Sequence, residues 1–348
     1  MKSVYITADS IGIETGGGVV TRNELEALRS VSEVGMVLSR EKIAPELFRQ
    51  PDSPFLYDYF ALQQIKDQHF DLAHFYSWTF TQTVSWLKSR GTKVTYTVPA
   101  HDRKTTVEEF ERLGLEYPFP HIKDDYIWDI YSEGYRLADV VIAPSKRSAE
   151  FLKSEGCKNV VVIPHGTNLP KEVKPVPERF DVGYLGAVGP DKGLIYLIQA
   201  WRMLNYSDSN LILAGGGTET LEPFIRNIAG EGYFTILGRV ASPSDLYNAC
   251  SVYVQPSVCE GFGIEVLEAM AHSRPVIAAE GAGASDLVDD SVGFVVPIRD
   301  PGAIAEKIDW FKKHRERIPE MGERARRKAR NYTWRKIQRS YANVFFTL

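Results

Sequence analysis

The sequence predicts an α/β protein of two domains, each a mostly parallel sheet covered by helices on both faces. Three observations lead there. Short apolar, β-rich runs alternate with helical patterns from end to end. The alternation breaks once, at a proline-rich stretch near the middle, and then restarts. The length of 348 residues exceeds one ordinary domain and suits two, at roughly 150 residues per domain.

In order, Val4–Ala8 reads as a first buried strand, leading into a glycine run and a helix near Val20–Ser30. Val34–Leu38, Leu72–Phe75, Val94–Val98, Val140–Ala143 and Val160–Ile163 follow as strands, with polar or helical sequence between them. From Pro164 to Pro177 four prolines sit among lysine, glutamate and glycine. Proline and the residue before it disfavour helix, so this segment reads as a linker. The second set is Val182–Leu185, a helix over Leu194–Leu204, Leu211–Ala214, Phe234–Leu237, Val252–Gln255, a helix from about Ile264 to Ala271, Val276–Ala279 and Phe294–Val296. Near-continuous apolar strands mark sheets buried on both faces. These elements define two Rossmann-like domains, residues 1–164 and 167–330. In open sheets of this kind ligands sit at the carboxyl ends of the strands.

Composition narrows the function. The chain is 44% hydrophobic and 25% charged, with no low-complexity tract and no apolar run long enough to span a bilayer. The N-terminus lacks a long apolar region and cleavage site, so it reads as a strand rather than a signal peptide. Cys157, Cys250 and Cys259 show no Cys-x-x-Cys spacing, which argues against a disulfide framework or zinc site and for a cytoplasmic protein. A net charge of −4 gives no general pull toward nucleic acid. Residues 312–339 are locally basic, from Lys312 to Arg339. That run reads either as a solvated helix face or as a peripheral contact with anionic lipid.

Two segments carry chemistry. Thr15-Gly16-Gly17-Gly18-Val19-Val20 places glycines between a strand and a helix, where amides approach a diphosphate closely. With Thr21 at the last glycine position it is not a full Gly-x-Gly-x-x-Gly, and a plain tight turn is the other reading. Ala214-Gly215-Gly216-Gly217 is a weaker case. The stronger segment is Pro256-Ser257-Val258-Cys259-Glu260-Gly261-Phe262-Gly263-Ile264-Glu265-Val266-Leu267-Glu268-Ala269-Met270-Ala271. Here a strand ends, Gly-Phe-Gly follows and a helix begins. Ile264, Leu267 and Ala271 share a face that can bury, while Glu265 and Glu268 turn to another. Amides at Gly261–Ile264 suit a phosphate or sugar hydroxyls, and the carboxylates can accept from sugar or ribose hydroxyls. Acidic residues that favour the helix dipole are the alternative.

Glu260, seven intervening residues and Glu268, set in Glu-Gly-Phe-Gly-Ile-Glu-Val-Leu-Glu-Ala-Met-Ala, resemble the family-4 retaining glycosyltransferases of the GT-B fold. The resemblance spans nearly the whole chain. It takes in the early Gly-Gly-Gly, Asp71-Leu72-Ala73-His74, Thr97-Val98-Pro99-Ala100-His101-Asp102, Ala138-Asp139-Val140-Val141-Ile142-Ala143-Pro144-Ser145 and Ile163-Pro164-His165-Gly166. Asp191-Lys192-Gly193, Leu237-Gly238-Arg239-Val240 and Pro275-Val276-Ile277 complete it.

The resemblance implies two Rossmann-like domains facing across a cleft, with a final helix (332–348) crossing back to the first. The N-domain would hold a glycan or lipid-linked acceptor and the C-domain a nucleotide-diphosphate sugar. It assigns Lys192 to the diphosphate, the amides of Gly16, Gly17, Gly18, Gly261, Phe262, Gly263 and Ile264 to phosphate and sugar, and Glu268 to the ribose. Glu260 lies near the transferred sugar, His101 reaches that sugar from the N-domain, and the main chain at Arg239 and Val240 meets the base. No cofactor or essential metal is expected.

The sequence also departs from the family. Gly186 is followed by Ala187 and Val188 where the family commonly has an arginine as a second diphosphate clamp; Arg239 and Arg22 are candidates to replace it. Ser273-Arg274 stands in place of a glycine before Pro-Val-Ile, which affects a turn. The missing arginine keeps a non-catalytic GT-B subunit as the alternative. His74, ending a strand, and the aromatics Phe75, Tyr76, Trp78 and Phe80 read as core, with acceptor contact as their second reading. No His-x-x-x-His or Cys/His grouping points to a metal, and no Gly-x-Ser-x-Gly to a serine hydrolase.

Overall fold

The computed structural model describes the chain except residues 12–14, 44–53, 77–79, 100–101, 119–122, 219–221 and 224–233. The residues gather into two compact units. The first holds Met1–Arg103, Tyr117–His165 and Trp334–Leu348, and the second Lys104–Glu116 and Gly166–Thr333.

The first unit is built on β1 (Lys2–Thr7), β2 (Glu33–Leu38), β3 (Leu72–Tyr76), β4 (Lys93–Thr97), β5 (Val140–Ala143) and β6 (Val160–Val162). They pair in the order β2-β1-β3-β4-β5-β6, all parallel. β3 is buried along its whole length, as a strand covered on both faces must be. The helix Gly16–Arg29 follows β1, and the C-terminal helix Trp334–Phe346 lies against it. There Gln338 Nε2 donates to Asn23 Oδ1 at 2.8 Å and to Glu26 Oε2 at 2.6 Å.

The second unit repeats the plan with β7 (Asp181–Leu185), β8 (Asn210–Ala214), β9 (Phe234–Gly238), β10 (Val252–Gln255), β11 (Val276–Ala279) and β12 (Gly293–Val296). Their order is β12-β11-β10-β7-β8-β9, again parallel throughout. Alternate residues feed two cores. Val252 and Val254 join one with Leu211, Leu213 and Ile277, while Tyr253 joins the other with Ile212, Val276 and Ala278. Each fully buried aliphatic side chain of this kind contributes about 2 kcal/mol.

Two local findings differ from the sequence reading. Lys104–Glu116, which the sequence places in the first domain, packs with the second unit. The reason is Glu109, fully buried, which accepts from Arg299 Nε at 2.5 Å and from the Tyr196 hydroxyl. The change before Pro-Val-Ile does more than alter a turn. Ser273 takes the left-handed conformation (φ 57°), and Arg274 runs into the interior. Its guanidinium donates to the carbonyls of Tyr247 (2.6 Å), Lys174 (3.0 Å) and Pro175 (3.3 Å), which ties the proline-rich segment down.

Candidate active site

In the second unit the informative residues collect at the carboxyl ends of the strands. After β7, the chain passes Gly186 and Ala187 into a 3-10 turn, Pro190–Lys192, closed by Gly193 at φ 66°. After β10 it runs through Pro256 to Gly263 (φ 88°) and opens the helix Ile264–Ala271. Backbone bonds fasten the two segments, since Asp191 O accepts from the amides of Val258 (2.8 Å) and Cys259 (3.2 Å). Glu260 is fixed separately: its amide donates to Gly281 O at 2.9 Å and its carbonyl accepts from Gly283 N at 3.1 Å.

This framework brings Lys192 and Glu260 together. Lys192 Nζ lies 2.6 Å from Glu260 Oε2 and 3.7 Å from Asp191 Oδ2. Burial by itself would lower the lysine's pKa, but the two carboxylates override it and hold the ammonium above its ordinary range. Glu268, one turn further along the helix, accepts from the Tyr247 hydroxyl at 2.9 Å, and burial raises its pKa. Phe262 is buried, and its carbonyl accepts from Ala284 N at 2.6 Å. The helix begins at Ile264, so its opening N–H groups have no helical carbonyl ahead of them, although Val266 N already donates to the Gly263 carbonyl at 3.2 Å. A cation, a helix N-terminus and flanking carboxylates therefore share one edge of one sheet.

Arg239 belongs to the same edge. Gly186 N donates to Ala214 O, Val188 N to Gly216 O and Gly215 N to Gly238 O, so the loops after β7, β8 and β9 are stitched side by side. A Cβ at Gly216 would come within 3.4 Å of Arg239 Nη2, which places the guanidinium over that glycine. Arg239 is exposed, and Val240 is partly buried against the core. At the position of the missing arginine, the Ala187 carbonyl accepts from the Tyr184 hydroxyl at 3.1 Å.

In the first unit, Gly16, Gly17 and Gly18 form the opening turn of their helix rather than a loop before it. Thr15 caps that turn, its hydroxyl accepting from Gly18 N at 3.1 Å. One of the three amides is thus already engaged. The Asp9 carboxyl sits beside the turn, 3.3 Å from where a Cβ on Gly17 would be, and burial raises its pKa. Asp9 gave no signal in the sequence beyond following a strand. His101 and Trp78 lie outside the described residues. His74 is fully buried, with Nδ1 2.8 Å from Thr95 Oγ1, Nε2 3.3 Å from Glu24 Oε2 and its ring against Phe345. Phe75, Tyr76 and Phe80 are buried in the same unit. These are core positions.

Much of the basic run is engaged within its unit. Lys312 meets Asp208, Lys313 meets Asp309, Arg324 meets Glu320, and Lys328 meets Asp289. Arg315 and Arg326 donate to the carbonyls of Glu178 and Pro170. Arg327, Arg330, Arg335 and Arg339 are exposed without a side-chain partner among the described residues. Among those residues, too, no helix is long and apolar enough to cross a membrane, and no three His, Cys, Asp or Glu side chains gather as a metal site.

Comparison with known proteins identifies the family. The profile described as glycosyl transferases group 1 matches residues 167–330, and that of glycosyltransferase family 4 matches residues 19–171. The chain belongs to the family-4 glycosyltransferases. The capsular polysaccharide biosynthesis glycosyltransferase CapM of Staphylococcus aureus is 30% identical over 179 residues, 48% of this chain and 47% of CapM. A D-inositol 3-phosphate glycosyltransferase of Streptomyces coelicolor is 35% identical over 103 residues, 29% of this chain and 22% of that one. These matches span about half or less of the curated relatives' length. Among solved structures, sucrose-phosphate synthase from Thermosynechococcus elongatus matches with a TM-score of 0.79 at 20% identity, over 100% of this chain and 99% of that one. Anabaena HepE in complex with UDP and glucose matches with a TM-score of 0.72 at 19% identity, over the full length of both chains. The fold of this family-4 chain is GT-B.

Proposed function

We propose that the chain is a retaining glycosyltransferase that moves a hexose from a UDP- or GDP-linked sugar to a glycan or lipid-linked acceptor. The observation that carries this reading is the Lys192–Glu260 pair beside the N-terminus of the helix Ile264–Ala271, inside the region matched by the group 1 profile. Breaking an anomeric bond to a diphosphate leaves charge on the leaving group. A preorganised cation and forward-pointing amides stabilise that charge more in the transition state than in the ground state. Lys192 and the amides of Gly261–Ile264 take the diphosphate, a role that the family resemblance gives to Gly16 and Gly17 as well. Glu268 takes the ribose, the main chain at Arg239 and Val240 the base, and Glu260 and His101 orient the sugar. The departing phosphate oxygen accepts the acceptor's proton, which gives front-face substitution with retention. The N-domain holds the acceptor. A UDP-linked sugar is the first donor to try, because HepE was solved with UDP and glucose.

The test is a panel of UDP- and GDP-glucose, GDP-mannose, UDP-galactose and UDP-N-acetylglucosamine, read by thermal shift and nucleoside diphosphate release. One donor giving both, lost in Lys192→Ala and Glu268→Ala, supports the reading. Ala187 favours a second one, a non-catalytic subunit, and binding without release from any donor would select it. The exposed arginines 327, 330, 335 and 339 support peripheral contact with anionic lipid on the cytoplasmic face. Failure to co-sediment with phosphatidylglycerol vesicles at low salt would remove that part.

A further inference from the structure

Tyr247 has no part in the function proposed above, yet its hydroxyl is the group that holds Glu268. It sits on the helix Pro243–Ala249, fully buried, and donates to Glu268 Oε2 at 2.9 Å. The ring is fixed by two neighbours. His272 lies against it with centroids 4.9 Å apart, and Tyr253 meets it edge-on at 5.6 Å. Its carbonyl accepts from Arg274 Nε at 2.6 Å, so the arginine by which the sequence departs from the family also pins this tyrosine. A second tie runs through the main chain. His272 Nδ1 donates to Glu268 O at 2.7 Å and its Nε2 lies 2.9 Å from Ser244 Oγ, which joins the Glu268 backbone to the same helix.

These ties leave Glu268 with one oxygen held and one to spare. Oε2 is taken by the tyrosine, while Oε1 makes no hydrogen bond among the described residues. The residue is half-buried rather than enclosed. A carboxylate offers about four acceptor positions on its two oxygens, so Oε1 can take a ligand hydroxyl while Oε2 keeps the tyrosine. A glutamate free to rotate would have to be ordered as the ligand arrived, and this one is ordered beforehand. The tyrosine hydroxyl also opposes burial, which raises the Glu268 pKa, and so favours the ionised form that only accepts.

We propose that Tyr247 is the positioning residue of the ribose site, fixing Glu268 so that its free oxygen receives a ribose hydroxyl of the donor nucleotide. This deepens the donor-site reading and rests on it. Tyr247 acts through Glu268, so its effect lies in how well the site tells a ribose from a deoxyribose. A carboxylate aimed at a hydroxyl is left unpaired when the ligand lacks that hydroxyl, and the ligand is rejected. Once the carboxylate is no longer aimed, that discrimination goes.

The experiment measures binding of UDP, GDP and their 2′-deoxy and 3′-deoxy analogues by calorimetry. The proteins are the intact chain, Tyr247→Phe, Tyr253→Phe, Glu268→Gln and Lys192→Ala, each checked for folding by its melting curve. For the nucleotide that binds, removing the hydroxyl that Glu268 meets should weaken binding to the intact protein about tenfold or more, the effect of losing a hydrogen bond to a charged group. In Tyr247→Phe that ratio should shrink to about threefold or less, through weaker binding of the ribonucleotide and not of the deoxy analogue. Glu268→Gln should shrink it as well. Tyr253→Phe is the control for loss of a buried hydroxyl, since its own bonds run to Leu185 O (3.0 Å) and Gln255 Oε1 (2.5 Å), and it should keep the intact ratio. A folded Tyr247→Phe or Glu268→Gln that keeps the intact ratio overturns the proposal and leaves the donor site standing. So does a Tyr253→Phe ratio that falls as far as that of Tyr247→Phe, or an intact ratio near one while binding still depends on Lys192. Absence of UDP and GDP binding to the intact protein, with Lys192→Ala no different, removes the donor site and this role together.

Discussion

Gly193→Ala tests whether the turn that carries Lys192 is as tightly seated as the geometry requires. Gly193 has φ 66°, and a Cβ there would lie 2.1 Å from Pro256 O and 2.9 Å from Pro256 C. The left-handed conformation costs alanine about 1–2 kcal/mol, of which about 0.5–1 is returned by the unfolded-state entropy that glycine loses. The contact must open by more than about 1 Å to reach the ordinary C···O separation of about 3.3 Å. Asp191 O is bonded to the amides of Val258 and Cys259, so the turn cannot slide away from Pro256 without breaking them. Overpacking of that kind adds about 1–3 kcal/mol, for a total near 2–4. At about 2–4 °C per kcal/mol for a unit of this size, the melting temperature should fall by roughly 4–15 °C. Gly217→Ala is the control in the same unit. Its φ is 91°, and the nearest atom to a new Cβ is Val188 Cβ at an ordinary 3.4 Å, so only the backbone cost of about 0.5–1 kcal/mol applies. Urea unfolding of both variants gives the comparison. Equal destabilisation would refute the close approach, and with it the seating of Lys192.

Arg274→Met should cost about 2–4 kcal/mol, because it leaves the carbonyls of Tyr247, Lys174 and Pro175 without their donor, and limited proteolysis should then cut near residue 174. His74→Gln should lower stability by about 1–3 kcal/mol while the transfer rate per folded molecule stays unchanged, since the ring is enclosed in the core; a slower rate at intact stability would return His74 to the acceptor site. Asp289 is held down to about 2 by hydrogen bonds from Lys328 and Ser291. Its contribution is therefore present above about pH 4, the unfolded value, and is lost as pH falls through about 2. The pair is solvent-exposed, so Asp289→Asn should cost under about 1 kcal/mol at pH 7, with the gap from wild type closing toward pH 2 in acid unfolding curves.

The strands were legible because burial on both faces leaves no choice of residue. Val140–Ala143, Val252–Gln255 and Val276–Ala279 have the bounds their apolar runs set. The opening turn of the first helix was not legible in the same way. A run of three glycines is poor helix sequence, and only the Thr15 cap and the packing of Val20, Leu25 and Leu28 make it one. Glu109 escaped for another reason: its partners Tyr196 and Arg299 lie 87 and 190 residues away, and no local pattern encodes such a meeting. The site divides along the same line. Lys192 and Glu260, 68 residues apart, could be brought together only through the resemblance, whereas helix periodicity alone puts Glu265 and Glu268 near each other. What no sequence pattern conveys is the state of those carboxyls. Glu268 has the Tyr247 hydroxyl on the helix Pro243–Ala249 and Glu260 has Lys192 on the turn after β7, so like residues at one helix opening are given different surroundings by partners far away in the chain.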